Sequence, residues 1–308
     1  MRVVVTGGAG YIGTELVKQL AANSDISKIL VLDNLSRGNY NLFLDYPFEG
    51  NNKVKFHHGD ILDSRSLSKL FSDADTVFHL AANVTTPFAN QDSHVYEQVN
   101  NWGTSDVGYF AEKSGVKRLI YLSSTSIYGA TDELITENTT PTPKTYYGIS
   151  KLRGESHLTP LVGKIEVLIV RCGNVFGYSH SMRFDAVINR FAFEANHFNR
   201  ITIQGDGKQS RAFVHIDTVS DVLSQLAFAK VDSDIYNLVE DNYTVIDIVD
   251  NLKTILPELE FLFVDQHLAL RTLKVETNNK LNSLISMPKN QSLHDRLIRF
   301  LTHFSFHP

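Results

Sequence analysis

The sequence predicts a doubly wound α/β fold, a parallel sheet with helices on both faces, joined to a smaller C-terminal substrate-binding domain. Three observations predict it. Short β-branched runs alternate with longer amphipathic stretches through the first half of the chain. A glycine-rich turn joins the first run to the first amphipathic stretch. After Gly177 the rhythm changes to aromatic-rich helical text, "FDAVINRFAFEANHF", and a polar turn, "QGDGKQS".

The expected strands, in order, are "RVVVTG", "KILVLD", "KVKFHHGD", "DTVFHLAA", "RLIYLSS" and "IEVLIVRC". Helices such as "TELVKQLAAN" and "SRSLSKLF" separate them, with Leu, Val and Phe at helical spacing. Strands alternating with helices imply βαβ units and a sheet buried on both faces. We divide the chain into residues 1–175, the dinucleotide-binding part, and 176–308, the substrate-binding part, with an interleaved boundary.

With 308 residues the chain can bury a substantial core. A formal charge of −5 and a pI near 6.2 argue against a broad nucleic-acid surface while leaving room for a local basic pocket. Cys172 is the only cysteine, which excludes an intrachain disulfide and reads as a buried filler. No apolar run approaches the ~20 residues of a membrane span, and no secretory leader is visible, so a cytoplasmic location is expected.

In "VVVTGGAGYIGTELVKQL", Gly8, Gly10 and Gly13 fit Gly-x-Gly-x-x-Gly, and Gly7, Gly10 and Gly13 fit Gly-x-x-Gly-x-x-Gly. Such a Rossmann turn needs a tight bend, close backbone approach to a pyrophosphate and close helix–strand packing. The helix N-terminus then faces the negative charge. Asp33 ends the second run about 20 residues after the last glycine, where a carboxylate can bind both ribose hydroxyls. It repels a 2′-phosphate and so favours NAD over NADP, although Arg37 lies close by.

Tyr147 and Lys151 in "TYYGISK" lie four apart, on one face of a helix. The spacing is cheap, and Tyr109 with Lys113 repeats it. Sheet geometry separates the copies. A helix following a parallel strand starts at the ligand edge and runs away from it, which carries Tyr109 about 25 Å from that edge. Tyr147 stands just after "PTPK", whose prolines discourage an earlier helix start, and so at the edge itself. The strand "RLIYLSS" ends there with Ser124. Lys151 and a cationic nicotinamide would together pull the Tyr147 phenol down from about 10. The phenolate can then take the proton of a substrate alcohol, with Ser124 orienting that alcohol.

The motifs "TGGAGYIG", "LDNLSRG", "GDILD", "FHLAA", "SSTSIYG", "YYGISK", "VRCGNVFG" and "RAFVHIDTV" occur in the order seen in extended short-chain dehydrogenases/reductases. The chain resembles their NAD-dependent sugar-nucleotide epimerase/dehydratase group, the branch similar to UDP-glucose 4-epimerases. The resemblance runs from Met1 to about Leu238 and fades beyond. It implies Ser124, Tyr147 and Lys151 as the catalytic trio. It implies a cofactor lining of Tyr11, Ile12, Asp33, Asn34, Ser36, Asp60, Ile61, Leu80, Ala81, Ala82 and Asn100, beside Gly7, Gly10 and Gly13. Asn174 and Arg211 match positions that bind the substrate's phosphates; Arg271 is a second candidate arginine, and Thr85 and Thr86 candidates for the hexose. A homodimer through a four-helix interface, formed by residues 92–115 and the helix from Tyr147, is also implied.

By the same resemblance, 4,6-dehydratases carry an Asp-Glu pair after the catalytic hydroxyl. This chain has Thr125 and Ser126 there, and related decarboxylases place a Glu at the second position. Elimination chemistry is disfavoured. The expected reaction is oxidation at C4 of a nucleoside-diphosphate sugar through a 4-keto intermediate, foremost 4-epimerisation. The alternatives are net 4-dehydrogenation and, from another class, a non-catalytic dinucleotide-sensing regulator. No metal is implied: His57 and His58 are neighbours on a strand and point apart, and His79 reads as a packed core group.

Overall fold

The computed structural model describes residues 1–44, 48–84, 92–131, 133–265, 272–278, 280–289 and 291–305. The first β-branched run forms β1 (Arg2–Thr6), and α1 (Tyr11–Ala22) follows the glycine turn. Next come β2 (Lys28–Asp33), β3 (Val54–His58), α2 (Ser64–Phe71) and β4 (Thr76–His79). Then α3 (Ser93–Tyr96), a π-helical turn (Glu97–Trp102) and α4 (Gly103–Lys113) lead into β5 (Arg118–Ser124). A short β6 (Leu134–Ile135), α5 (Tyr146–Leu158), β7 (Glu166–Cys172) and β8 (Asn174–Phe176) follow. The second half holds α6 (Val187–Phe198), β9 (Arg200–Gln204), β10 (Ser210–His215), α7 (Ile216–Leu226) and β11 (Asp234–Leu238). It ends with β12 (Asp241–Thr244), α8 (Val245–Ile255), β13 (Glu260–Val264), β14 (Lys274–Val275), α9 (Lys280–Leu284) and α10 (Leu293–Leu301).

Among the described residues seven strands form one sheet in the order β11-β7-β5-β4-β1-β2-β3, every pair parallel. All six expected runs take their places in it. The seventh strand, β11, was not expected, and it comes from beyond residue 175. Between β1 and β4 the order reverses, which makes the carboxyl ends of these two strands the switch point where such sheets bind ligands.

Burial on both faces explains the near-continuous apolar runs. On one face Leu16, Val17 and Leu20 of α1 pack with Val219, Val222 and Leu223 of α7. On the other, Leu67 and Phe71 of α2 meet Val107 of α4 and Leu158 of α5. Each such side chain contributes about 1.5–3 kcal/mol when fully buried. A third core lies under α6, α8 and α10 around Phe191, Ile248, Leu252 and Phe300. Arg296 of α10 grips Glu240, the residue before β12, with two bonds of 2.6 and 2.7 Å. Among the described residues no helix is long and apolar enough to cross a membrane.

Candidate active site

The turn after β1 leaves no room for side chains. Gly7 sits at φ +72, and a Cβ there would stand 2.6 Å from the Ala81 nitrogen; at Gly13 it would strike the Gly7 carbonyl. Gly10 is the N-cap of α1 and offers no side-chain cap, so the first N–H groups of the helix face the turn. Asp33 braces it, one carboxylate oxygen accepting from Ala9 N at 3.0 Å and the other from Leu35 N at 2.8 Å. Each oxygen retains a lone pair for a ribose hydroxyl. A dinucleotide therefore fits this cradle.

The other expected cofactor residues gather along the same edge. Asn34 donates to Asp60 at 2.8 Å and accepts from Ser36 N at 3.0 Å. Ile61 is buried, and Ile12 is half-buried on α1. Leu80, Ala81 and Ala82 follow β4, with Leu80 N donating to the Thr6 carbonyl at 3.1 Å. Asn100 is buried in the π-helical turn. It holds Asn83 by two bonds of 2.8 and 2.9 Å and donates to Ser150 at 3.1 Å. Tyr11 has an additional role: its hydroxyl donates to the Gly177 carbonyl at 2.7 Å.

Ser124 closes β5, and its Oγ accepts from Ser126 N at 3.2 Å. Across from it α5 begins, its N-cap Thr145 accepting from Gly148 N at 3.0 Å. Tyr146 is 46% exposed. Tyr147 turns inward, its ring edge-to-face with Tyr96 at 6.4 Å. Lys151 is only 1% exposed; its Nζ donates to the Leu122 carbonyl at 2.7 Å and lies 4.2 Å over the Tyr121 ring. The duplicate pair is superficial, as its position along the helix predicts: Tyr109 is 54% exposed, with Lys113 Nζ 5.5 Å from its ring.

The expected fall in the Tyr147 pKa is not what the protein alone produces. Burial pushes the phenol up, opposed by a hydrogen bond from Ser124 and by the charge of Arg183. Burial also takes Lys151 down to about 7, with Glu155 opposing. Desolvation disfavours both charged forms, so ionising the phenol falls to whatever cation joins the pair.

The sequence profile of the NAD dependent epimerase/dehydratase family matches residues 3–238. This chain belongs to the NAD-dependent epimerase/dehydratase family. It is similar to the UDP-glucose 4-epimerase of Mycolicibacterium smegmatis, 31% identical over 72% of this chain and 71% of the relative. It is equally similar to the human dTDP-D-glucose 4,6-dehydratase, 31% identical over 77% of this chain and 68% of that protein. The crystal structure of a UDP-glucuronic acid 4-epimerase from Bacillus cereus in complex with NAD superposes with a TM-score of 0.82, at 26% identity and 96% coverage of both chains. NAD is the cofactor of this family, and the chain is an enzyme of it.

Ser124 opens onto a cavity of about 200 Å³ that is also lined by Thr125, Ser126, Lys144, Asn174 and Arg211, among others. Among the described residues no Asp or Glu lines it. The buried Ser126 Oγ has no hydrogen-bond partner among the described residues. Asn174 Nδ2 donates to the Ala212 carbonyl at 3.1 Å. Thr85, Thr86 and Arg271 lie outside the described residues. Lys144 was missed: it stands one residue before the α5 cap, and no pattern separates it from a surface lysine.

His79 is fully buried, bonded to Thr6 at 2.8 Å and Thr104 at 2.9 Å and stacked on Tyr121. Burial holds it neutral, with a pKa of about 3. Cys172 is buried too, its thiol pushed far up. Among the described residues no three His, Cys, Asp or Glu side chains group to hold a metal.

Proposed function

We propose that the enzyme oxidises C4 of a nucleoside-diphosphate sugar and reduces the resulting 4-keto sugar on its opposite face, a 4-epimerisation. The observation that carries this reading is that Ser124, the hydroxyl of the trio, opens onto a cavity with no carboxylate among the described residues that line it. Removing water from the 4-keto sugar calls for an acid and a base next to Ser124, and Thr125 and Ser126 supply neither.

NAD held by the glycine turn and Asp33 would supply a reversible hydride acceptor and a positive charge. Ser124 holds the C4 hydroxyl, and Tyr147, as phenolate, takes its proton. Lys151 stabilises that phenolate. Asn174 and Arg211 hold the diphosphate, leaving the hexose free to turn about it. Tyr147 then returns the proton to the keto oxygen.

The test is a panel of nucleotide sugars followed by NMR. Inversion at C4 without net NADH supports the reading, and stoichiometric NADH release replaces it with dehydrogenation. Tyr147→Phe should abolish turnover while Tyr109→Phe leaves it nearly intact.

We further propose a cytoplasmic homodimer. Trp102 and Tyr109 stand seven residues apart and exposed, along one side of the helical run ending in α4, a face suited to a second copy. Sedimentation velocity tests it: a monomer at micromolar concentration contradicts it.

A further inference from the structure

The end of β5 serves the trio twice. The Leu122 carbonyl takes the Lys151 ammonium, and Ser124 lies beside Tyr147. Between them, Ser123 donates to Glu155 Oε1 at 2.5 Å. Glu155 stands one helical turn beyond Lys151 on α5 and is 4% exposed.

Arg171 of β7 holds the Glu155 carboxylate in a fork, Nη2 to Oε2 at 2.7 Å and Nε to Oε1 at 3.1 Å. Arg171 Nη1 also donates to the Tyr128 hydroxyl at 2.9 Å, which donates to Asn237 Oδ1 at 2.8 Å. The network joins α5, β5, β7, β11 and the turn after β5. A buried ion pair gives little net stability, because desolvating both charges offsets their attraction. Stability alone therefore does not account for a carboxylate at this place.

We propose that Glu155 is a positioning residue for the trio: through Ser123 it fixes the strand end that carries both the Lys151 acceptor and Ser124, and it supplies the negative charge that a buried lysine needs. Around Lys151 lie the Tyr121 ring from β5, neutral His79 stacked beyond it on β4, Glu155 on α5 and Arg171 behind Glu155 on β7, with Tyr147 one helical turn earlier on α5. Glu155 is the anion among them. It opposes the burial that draws Lys151 toward neutrality. The proposal rests on Tyr147 and Lys151 being the acid–base pair.

The test is a pH titration of NAD-loaded protein labelled with ¹³C at lysine Cε, with the Lys151 signal assigned by its loss in Lys151→Met. Glu155→Gln should lower the Lys151 midpoint by about one pH unit, and Glu155→Asp should restore most of it. Ser123→Ala, which keeps the charge, should leave the midpoint in place. In turnover, Glu155→Gln should lower kcat about tenfold or more with little change in KM, and its alkaline limb should move to lower pH. An unchanged midpoint in folded Glu155→Gln overturns the proposal. Should that variant not fold, Glu155→Gln with Arg171→Met removes both charges, and the same two outcomes decide. The midpoint requires no sugar. A shift in a protein that inverts none keeps this inference and ends the epimerase reading; no shift in an active epimerase does the reverse.

Discussion

Lys151 and Leu122 are joined by a 2.7 Å bond from ammonium to carbonyl, fastening the middle of α5 to the end of β5. One buried contact thereby sets the distance between the helix bearing Tyr147 and the strand bearing Ser124.

Replacing this lysine separates its chemical role from its structural one. Lys151→Met fills nearly the same space without the charge. Turnover should fall by about 10²–10⁴-fold, the usual worth of an acid–base group. Urea unfolding of the NAD-free variant should show equal or higher stability at pH 6, where the wild type must keep a buried ammonium. A variant that is active yet less stable contradicts this assignment.

Stability of the NAD-free protein should rise from pH 5 to about pH 8 and fall above about pH 10. Burial lowers His79 and His215 to about 3, so below about 6.5 the unfolded chain binds more protons than the folded one. Their contribution is therefore lost as pH falls. Lys151, lowered to about 7, acts in the same sense between about 7 and 10.4. Cys172 and Tyr147 are raised, so the folded state keeps protons that the unfolded state sheds at alkaline pH. Urea midpoints measured across this range check the sign; a decline between pH 5 and 8 is the contrary result.

Residues 177–181 are clasped to α1. Tyr11 donates to the Gly177 carbonyl, Thr14 donates to Ser181 at 2.8 Å, and Ser179 donates to Glu15 at 3.0 Å. This segment is bonded to the first residues of α1, directly after the glycine turn, so loosening it should open the cofactor crevice. Tyr11→Phe leaves the buried carbonyl without that donor, a penalty of about 1–3 kcal/mol. The expected outcome is NAD release at least severalfold faster, followed by the change in bound-cofactor fluorescence. Unchanged release contradicts the role of the clasp.

The sequence already held the parts of this site that depend on local spacing. Gly7, Gly10 and Gly13 occur where the backbone must approach a neighbour, and the strand–helix rhythm alone set Tyr147 apart from Tyr109. The strand β11, "DIYNL", was not legible because it is short, with Asp234 and Asn237 interrupting its apolar residues, and it takes its place through pairing with β7. The Glu155–Arg171 fork spans two elements, and neither residue has a spacing that reveals the other. The upward shift of Tyr147 depends on burial, which only the packed site creates.

The most direct measurement uses a nucleoside-diphosphate sugar bearing deuterium at C4, drawn from the panel on which the enzyme acts. Oxidation and return at C4 leave the deuterium on C4 of the inverted product, with no exchange into water and no net reduced cofactor. Deuterium lost to solvent, or accumulating in released reduced cofactor, would contradict oxidation and return at that carbon.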